Sequence, residues 1–163
     1  MKKAFAWILV FLVVYILQSS LLYAISFEGS NADLLLLLTT SIALTHGFKR
    51  GAFAGFCGGL LQDIASGAFL GFNTLSKMII GFCFGLMIDR IYEGKILLPL
   101  VSSVAATVAN YIILTIIIFL LGYNVDIRQN IYKLLLFPII YNLIFSYFVH
   151  KLVCWLKNKS FDN

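Results

Sequence analysis

Six apolar runs follow one another along the chain, separated by short segments that contain charged residues or glycine. An α-helix of about 20 mostly apolar residues crosses the roughly 30 Å hydrocarbon core of a membrane. The runs are continuous and do not alternate between apolar and polar positions, which favours helices over the strands of a barrel. The pattern therefore predicts six transmembrane helices, over residues 4–24, 32–45, 51–65, 69–88, 96–121 and 131–155.

The composition supports a chain that lies almost wholly in lipid. Of the 163 residues, 61% are hydrophobic and 12% are charged, whereas soluble domains have about 45–50% and about 25%. These fractions exclude a soluble enzyme, a disordered chain and a small disulfide-stabilised domain. We therefore predict an all-α integral membrane protein that forms a single domain over residues 1–163.

The second and third runs are short, so two arrangements are considered for them. A re-entrant hairpin would bury Lys49 and Arg50, which lie between the runs, at a cost of about 2.5–3.5 kcal/mol each. Two short spanning helices, with a basic turn over residues 46–50 in the headgroups, avoid that cost. We also predict that Pro99 lies in the first turn of the fifth helix and that Pro138 kinks the sixth.

The basic residues predict the orientation, because cytoplasmic loops are enriched in Lys and Arg. If successive connections lie on alternate sides of the membrane, nine of the twelve Lys and Arg residues fall on the side of the termini. They are Lys2, Lys3, Lys49, Arg50, Arg90, Lys95, Lys151, Lys157 and Lys159. Arg128 and Lys133 fall on the other side, and Lys77 lies within a helix. Both termini are therefore predicted to be cytoplasmic in a multi-pass protein.

Two neighbouring helices carry small residues at a four-residue spacing, which places those residues on one helix face. Small faces of this kind let helix backbones approach closely in lipid. They are a candidate helix-packing or partner-binding face, formed by Gly51, Gly55, Gly59, Gly81 and Gly85.

Asp63 and Lys77 are the ionisable residues within the third and fourth predicted helices. An ionisable side chain inside a membrane is a functional candidate and needs a partner. We predict an ion pair between the two that fixes the packing of these helices. Contact with a partner protein and an ion or proton relay are the alternatives.

No motif of an enzyme or a metal site stands out in the sequence. Cys57, Cys83 and Cys154 are isolated, without the paired spacing of a zinc site, and are interpreted as small core residues. His46 and His150 lie near predicted helix ends and have no nucleophile at a suitable spacing. We therefore expect no catalytic residue, no cofactor and no enzymatic activity.

Several short segments form a distinctive set. They are Gln18-Ser19-Ser20, Asn31-Ala32-Asp33-Leu34-Leu35-Leu36-Leu37, Phe48-Lys49-Arg50-Gly51, the glycine-rich stretch from Gly55 to Asp63, Ser66-Gly67, Leu70-Gly71-Phe72-Asn73 and Gly81. Together these segments resemble the rod shape-determining protein family MreD. Ala32 departs from the family, whose members usually have Pro at this place. The resemblance in size and layout extends over the whole chain, and the motifs over roughly 31–85.

The resemblance implies a non-enzymatic scaffold of the bacterial elongation machinery in the inner membrane. Its partner would be an MreC-like protein with one transmembrane helix, and indirectly MreB, RodZ, RodA and a class B penicillin-binding protein. The partner helix would pack on the glycine face of the third and fourth helices or on an outward face of the first. The family is also similar in fold to the substrate-binding subunits of energy-coupling-factor vitamin transporters, which provide an alternative function: capture of a small molecule.

Overall fold

A computed structural model describes residues 2–22, 31–67, 69–87, 97–122 and 135–161. These residues form helices and no strand, and one α-helix overlaps each of the six predicted segments. A short π-helical turn, Gln18–Leu22, continues the first of them. The α-helices are α1 (Lys2–Leu17), α2 (Leu34–His46), α3 (Phe48–Ser66), α4 (Phe72–Leu86), α5 (Leu97–Leu120) and α6 (Phe137–Phe161).

The shortest helix, α2, lies at the centre of the fold. Every residue from Leu34 to Leu44 is buried, on all sides of the helix. The other five helices all pack against it. A helix that is apolar all round is one that is enclosed on every side. The run of five leucines at its start therefore forms the core of the protein rather than a surface that faces lipid.

Helices α3 and α4 form an antiparallel pair whose backbones lie in close contact along their length. A methyl group built at Gly55 would come within 3.0 Å of the Lys77 backbone, and one at Gly59 within 3.0 Å of the Thr74 backbone. Glycine lets two helices approach this closely because it has no Cβ. The pair therefore depends on the absence of side chains at these positions.

The connection between α2 and α3 is shorter than the predicted basic turn. Gly47 is the single residue between the two helices, and its φ of 87° is in the region that favours glycine. Lys49 and Arg50 consequently lie in the first turn of α3, where both side chains are exposed. The prediction of a five-residue turn over 46–50 was therefore wrong, because one glycine is enough to reverse the chain.

The two prolines lie near the beginning of their helices. Pro99 is in the first turn of α5, as predicted, where an N–H would have no partner within the helix. Pro138 is the second residue of α6, and two π-helical residues, 135 and 136, directly precede this helix. Residues 131–134 lie outside the described part, so the kink expected at Pro138 within a helix that begins at residue 131 stays a prediction.

Polar side chains divide the molecule into two ends. The basic end contains the start of α1 and the ends of α2 and α6, because Trp7 packs edge-on against His46 at 6.0 Å and Lys157 donates to the Thr45 carbonyl at 2.9 Å. The first turn of α3 lies at this end as well. The polar end, opposite, contains Gln18, Asp33, Asp63, Lys77 and Asn142.

Two of the described helices are long and apolar enough to cross a membrane: α5 over its whole length and α6 over Phe137–Lys157. Large apolar side chains remain exposed along both, among them Ile116 and Phe119 on α5 and Phe148 on α6. Such a surface is typical of helices that face lipid, since apolar side chains there lose nothing by being exposed.

Adjacent glycines of α3 provide a test of the close contact with α4. We expect Gly59→Ala to lower the free energy of unfolding by about 1–3 kcal/mol, because the new methyl meets the backbone of α4. Gly58→Ala is the matched control: its methyl meets the ring of Phe11 at 3.1 Å, and that side chain can move. Thermal unfolding of the purified protein in detergent measures both. Equal melting temperatures for the two variants would contradict the backbone contact.

Candidate functional site

Lys77 is fully buried at the polar end, although it carries a charge. Its Nζ donates to Asp33 Oδ2 at 2.6 Å, which forms an ion pair between α4 and the start of α2. Side chains on a helix are tilted toward its N-terminus. Since α4 begins at the polar end, the long Lys77 side chain runs toward that end and reaches the Asp33 carboxylate.

Asp33 has a second role, because it is also the N-cap of α2. Its Oδ1 accepts a hydrogen bond from Leu36 N at 3.0 Å, so the carboxylate binds a free N–H of the helix with one oxygen and Lys77 with the other. The preceding N–H, that of Leu35, donates to Gln18 Oε1 at 3.2 Å. A negative charge at a helix N-terminus is stabilised by the helix dipole as well as by the lysine.

Side-chain amides extend this cluster to the remaining helices. Asn142 of α6 accepts from the backbone N–H of Asp33 at 2.8 Å and donates to Thr107 Oγ1 of α5 at 2.9 Å. Ser76 of α4 donates to Asn110 Oδ1 of α5 at 2.6 Å. The α1, α2, α4, α5 and α6 segments thus meet in hydrogen bonds around one ion pair.

Asp63 does not pair with Lys77, and the prediction of that ion pair was wrong. Its carboxylate lies at the N-terminus of α4 and accepts five hydrogen bonds of 2.7–3.1 Å. The donors are Gly71 N, Asn73 N, Asn73 Nδ2, Thr74 N and Thr74 Oγ1. A carboxylate has about four lone-pair sites. Its acceptor capacity is therefore filled before Lys77, one turn further along α4, could reach it.

Asp33 was missed although it lies inside the second predicted helix, 32–45. We considered ionisable residues only in the third and fourth predicted helices, and in the structure Asp33 precedes α2 by one residue. An available signal was its position directly before the leucine run, which is that of an N-cap. A carboxylate there is placed at the depth of a helix end, where an intramembrane lysine on a neighbouring helix can meet it.

The candidate glycine face lies between α3 and α4. A methyl group added at any of the five positions would meet the opposite helix. At Gly51 it would meet Gly81, at Gly81 it would meet Gly51, and at Gly85 it would meet Phe48. This face is therefore covered within the chain. A partner helix has no access to it while α3 and α4 are packed together, which corrects the expectation that it is open to a partner.

The site as described is a neutralised, hydrogen-bonded junction. Both of its carboxylates have their oxygens engaged by donors of the same chain. Within the described residues no group of three or more His, Cys, Asp or Glu side chains is placed to hold a metal ion. The hydrogen bonds and the ion pair of this site hold five helices in fixed positions relative to one another.

The fold and the site together define a class of protein: an all-helical bundle with membrane-capable helices and an internal charge pair. The family described as rod shape-determining protein MreD matches residues 1–156, and the chain belongs to this family. It is a family of membrane-associated, structural proteins that act within the MreB, MreC and MreD shape-determining system. No curated protein and no solved structure matches the chain. The expected similarity in fold to the vitamin-transporter subunits therefore stays a prediction.

A double-mutant cycle tests the Asp33–Lys77 pair. We expect Lys77→Met and Asp33→Asn, each alone, to lower the free energy of unfolding by about 3–5 kcal/mol, because each leaves an unpaired charge inside the protein. The double variant should recover most of that loss, since the amide that replaces the Asp33 carboxylate still provides an N-cap oxygen. Membrane abundance and thermal unfolding are the measurements.

The matched control is Asp63→Asn combined with Lys77→Met. These residues do not touch, so their effects should add. If stability were recovered in this second double variant and not in the first, the Asp63–Lys77 pair predicted from the sequence would be supported and the Asp33–Lys77 pair contradicted.

Asp63→Asn alone tests the capping carboxylate. The amide introduced at this position would have one acceptor oxygen, and its NH₂ group would face N–H and O–H groups that are themselves donors. We therefore expect the free energy of unfolding to fall by about 1–3 kcal/mol. The effect should be local to the start of α4. Hydrogen exchange at the amides of Gly71, Asn73 and Thr74 should accelerate, while exchange in α2 stays as in the wild type. Unchanged exchange at these three amides would contradict the cap.

Proposed function

We propose that this protein is a non-enzymatic scaffold of the cell-elongation machinery, required for rod shape and lateral peptidoglycan synthesis. Membership of the MreD family supports the role in cell shape. The observation that carries the scaffold mechanism is that the ionisable side chains Asp33, Asp63 and Lys77 are all engaged within the bundle. The charged groups hold the helices together, and the outward surface of the helices is available for apolar packing against a partner.

We further propose that the chain spans the bacterial inner membrane six times with both termini in the cytoplasm. The start of α1 and the end of α6 lie at the same end of the fold, the basic end. The exposed Lys49 and Arg50 lie there too. Excess Lys and Arg on one side is the signature of the cytoplasmic face. The basic end is therefore assigned to the cytoplasm and the polar end to the outside.

The partner in this proposal is an MreC-like protein, whose single transmembrane helix packs on the outward face of α1. The other proposed face, that of the glycines, is covered by α3 and α4. Among the described side chains, Phe11 and Val14 of α1 and Gln18 of the π-helical turn are buried, and they form one narrow stripe. The opposite face is apolar and exposed, and includes Leu9, Leu12 and Ile16. Through this partner the chain would act indirectly on MreB, RodZ, RodA and a class B penicillin-binding protein.

Complementation of depleted rod-shaped cells tests both the function and the face. Depletion of the chain should round the cells, and the wild-type gene should restore rods. The triple variant Leu9→Ala, Leu12→Ala, Ile16→Ala should fail to restore rods and lose co-purification of MreC, because packing contacts drive helix association in lipid.

The matched control is Ile112→Ala, Ile116→Ala, Phe119→Ala on α5, where the side chains are as exposed as those on α1. It should restore rods and retain MreC. Cells that stay rod-shaped on depletion, or acquire a vitamin requirement, would reject the proposed function. Full activity of the α1 variant at normal membrane abundance would reject only the placement of the partner on α1.

A further inference from the structure

A shallow groove lies on the outer surface of the bundle between α5 and α6. Its volume is about 380 Å³, and it is open along one side. It is lined by five aliphatic side chains, which are Leu100, Val101, Val104 and Ala105 of α5 and Leu143 of α6. A water molecule needs polar partners, and this lining offers none. The groove therefore takes an apolar occupant.

The groove lies on the basic side of the polar cluster. From the hydrogen bond between Thr107 and Asn142 toward the groove, residue numbers fall along α5 and rise along α6, so the two helices are antiparallel. In the same direction α6 continues to Lys157, which contacts the end of α2 at the basic end. The groove therefore occupies the part of α5 and α6 that leads to the basic end.

An exposed lysine follows the groove along one face of α6. Leu143, Tyr147 and Lys151 are four residues apart, which places them on the same side of the helix, and all three are exposed. Leu143 and Lys151 are separated by about 12 Å along the helix axis. Side chains on a helix are tilted toward its N-terminus, which for α6 is the direction of the groove. The Lys151 side chain therefore leaves the helix on the side of the groove.

Lys151 has no carboxylate partner in the described part of the chain. The described ranges contain two acidic side chains, Asp33 and Asp63, and both are engaged at the polar end. The basic end thus presents exposed ammonium and guanidinium groups without a described carboxylate beside them. An anion from outside the chain is the charge that complements this surface, and anionic lipids supply it at the cytoplasmic face of a membrane.

The dimensions of the groove distinguish between two apolar occupants, a partner helix and the acyl chain of a lipid. A helix is about 10–12 Å wide with its side chains, whereas the groove extends from Leu100 to Ala105, or about 8 Å of α5. An acyl chain is narrower than a helix and can lie within this length. Half of the hydrocarbon core is about 15 Å thick, so a chain that starts at the level of Lys151 passes Leu143 within its own leaflet.

We propose that the groove and Lys151 bind one anionic phospholipid, with an acyl chain against Ala105 and Leu143 and the phosphate at the Lys151 ammonium. The aliphatic lining holds the chain through dispersion contacts that an empty groove would forfeit. The lysine selects an anionic headgroup over a zwitterionic one. The site goes beyond the scaffold function and uses from the proposals above only the assignment of the basic end to the cytoplasm.

Native mass spectrometry of the full chain tests the site, after incubation in detergent with equal amounts of phosphatidylglycerol and phosphatidylcholine that have the same acyl chains. The wild type should retain one phosphatidylglycerol, in about fivefold excess over phosphatidylcholine, as expected for one basic side chain at a membrane surface. Lys151→Gln should abolish this preference. Ala105→Phe fills the groove and should lower the retention of both lipids about fivefold or more.

Two matched controls make the same chemical changes outside the groove. Lys49→Gln removes one exposed charge at the basic end, and Ala65→Phe enlarges an exposed alanine near the end of α3. Both should retain phosphatidylglycerol as the wild type does. Melting temperatures in detergent show which variants are folded, and the exposed Lys151 decides the proposal if Ala105→Phe does not fold.

Three results would overturn the proposal. Equal retention of the two lipids by the wild type would reject the anionic headgroup. Retention at the wild-type level by folded Ala105→Phe would reject the groove. An equal loss of preference in Lys49→Gln and Lys151→Gln would show that the whole basic end attracts lipid without a particular site. None of these results concerns cell shape, so the scaffold function stands or fails separately in the complementation experiment.

Discussion

The arrangement of the helices depends on how the interior accommodates one ammonium group. Lys77 has no exposure, and its charge is balanced by the Asp33 carboxylate 2.6 Å away. A buried charge without a partner costs several kcal/mol, so the start of α2 has to remain beside α4. Because Asp33 also caps α2 and its backbone binds Asn142, this single requirement fixes the central helix against α4 and α6.

The glycine contact between α3 and α4 makes this neutralisation possible. The Lys77 backbone lies against Gly55, so the side chain leaves α4 beside the interior rather than toward lipid. The Asp63 carboxylate holds the other end of the pair by accepting N–H groups at the start of α4. Two carboxylates thus perform similar tasks at two helix N-termini, one with a lysine as a further partner and one with backbone and side-chain donors of α4 alone.

Much of the fold could be predicted from local properties of the sequence. The apolar runs located the six α-helices of the described residues, and the first-turn position of Pro99 followed from its missing N–H. The four-residue spacing of glycines indicated a close-packing face, but not that α3 and α4 would cover each other. Their positions within apolar runs also identified Asp63 and Lys77 as ionisable residues of the helices. The ion pair inferred between them was wrong, because nearness along a helical hairpin says little about where each side chain points.

The sequence by itself determined that the chain is helical and apolar, where its helices lie, and which few charges need partners, because these properties depend on composition and on residues at most a helix turn apart. Only the tertiary structure decided that α2 is central, that Asp33 neutralises Lys77 and that Asp63 caps α4. Asp33 and Lys77 are separated by 44 residues and belong to helices that are not consecutive. Which carboxylate meets a buried lysine is set by the packing of whole helices, and no local pattern encodes that choice.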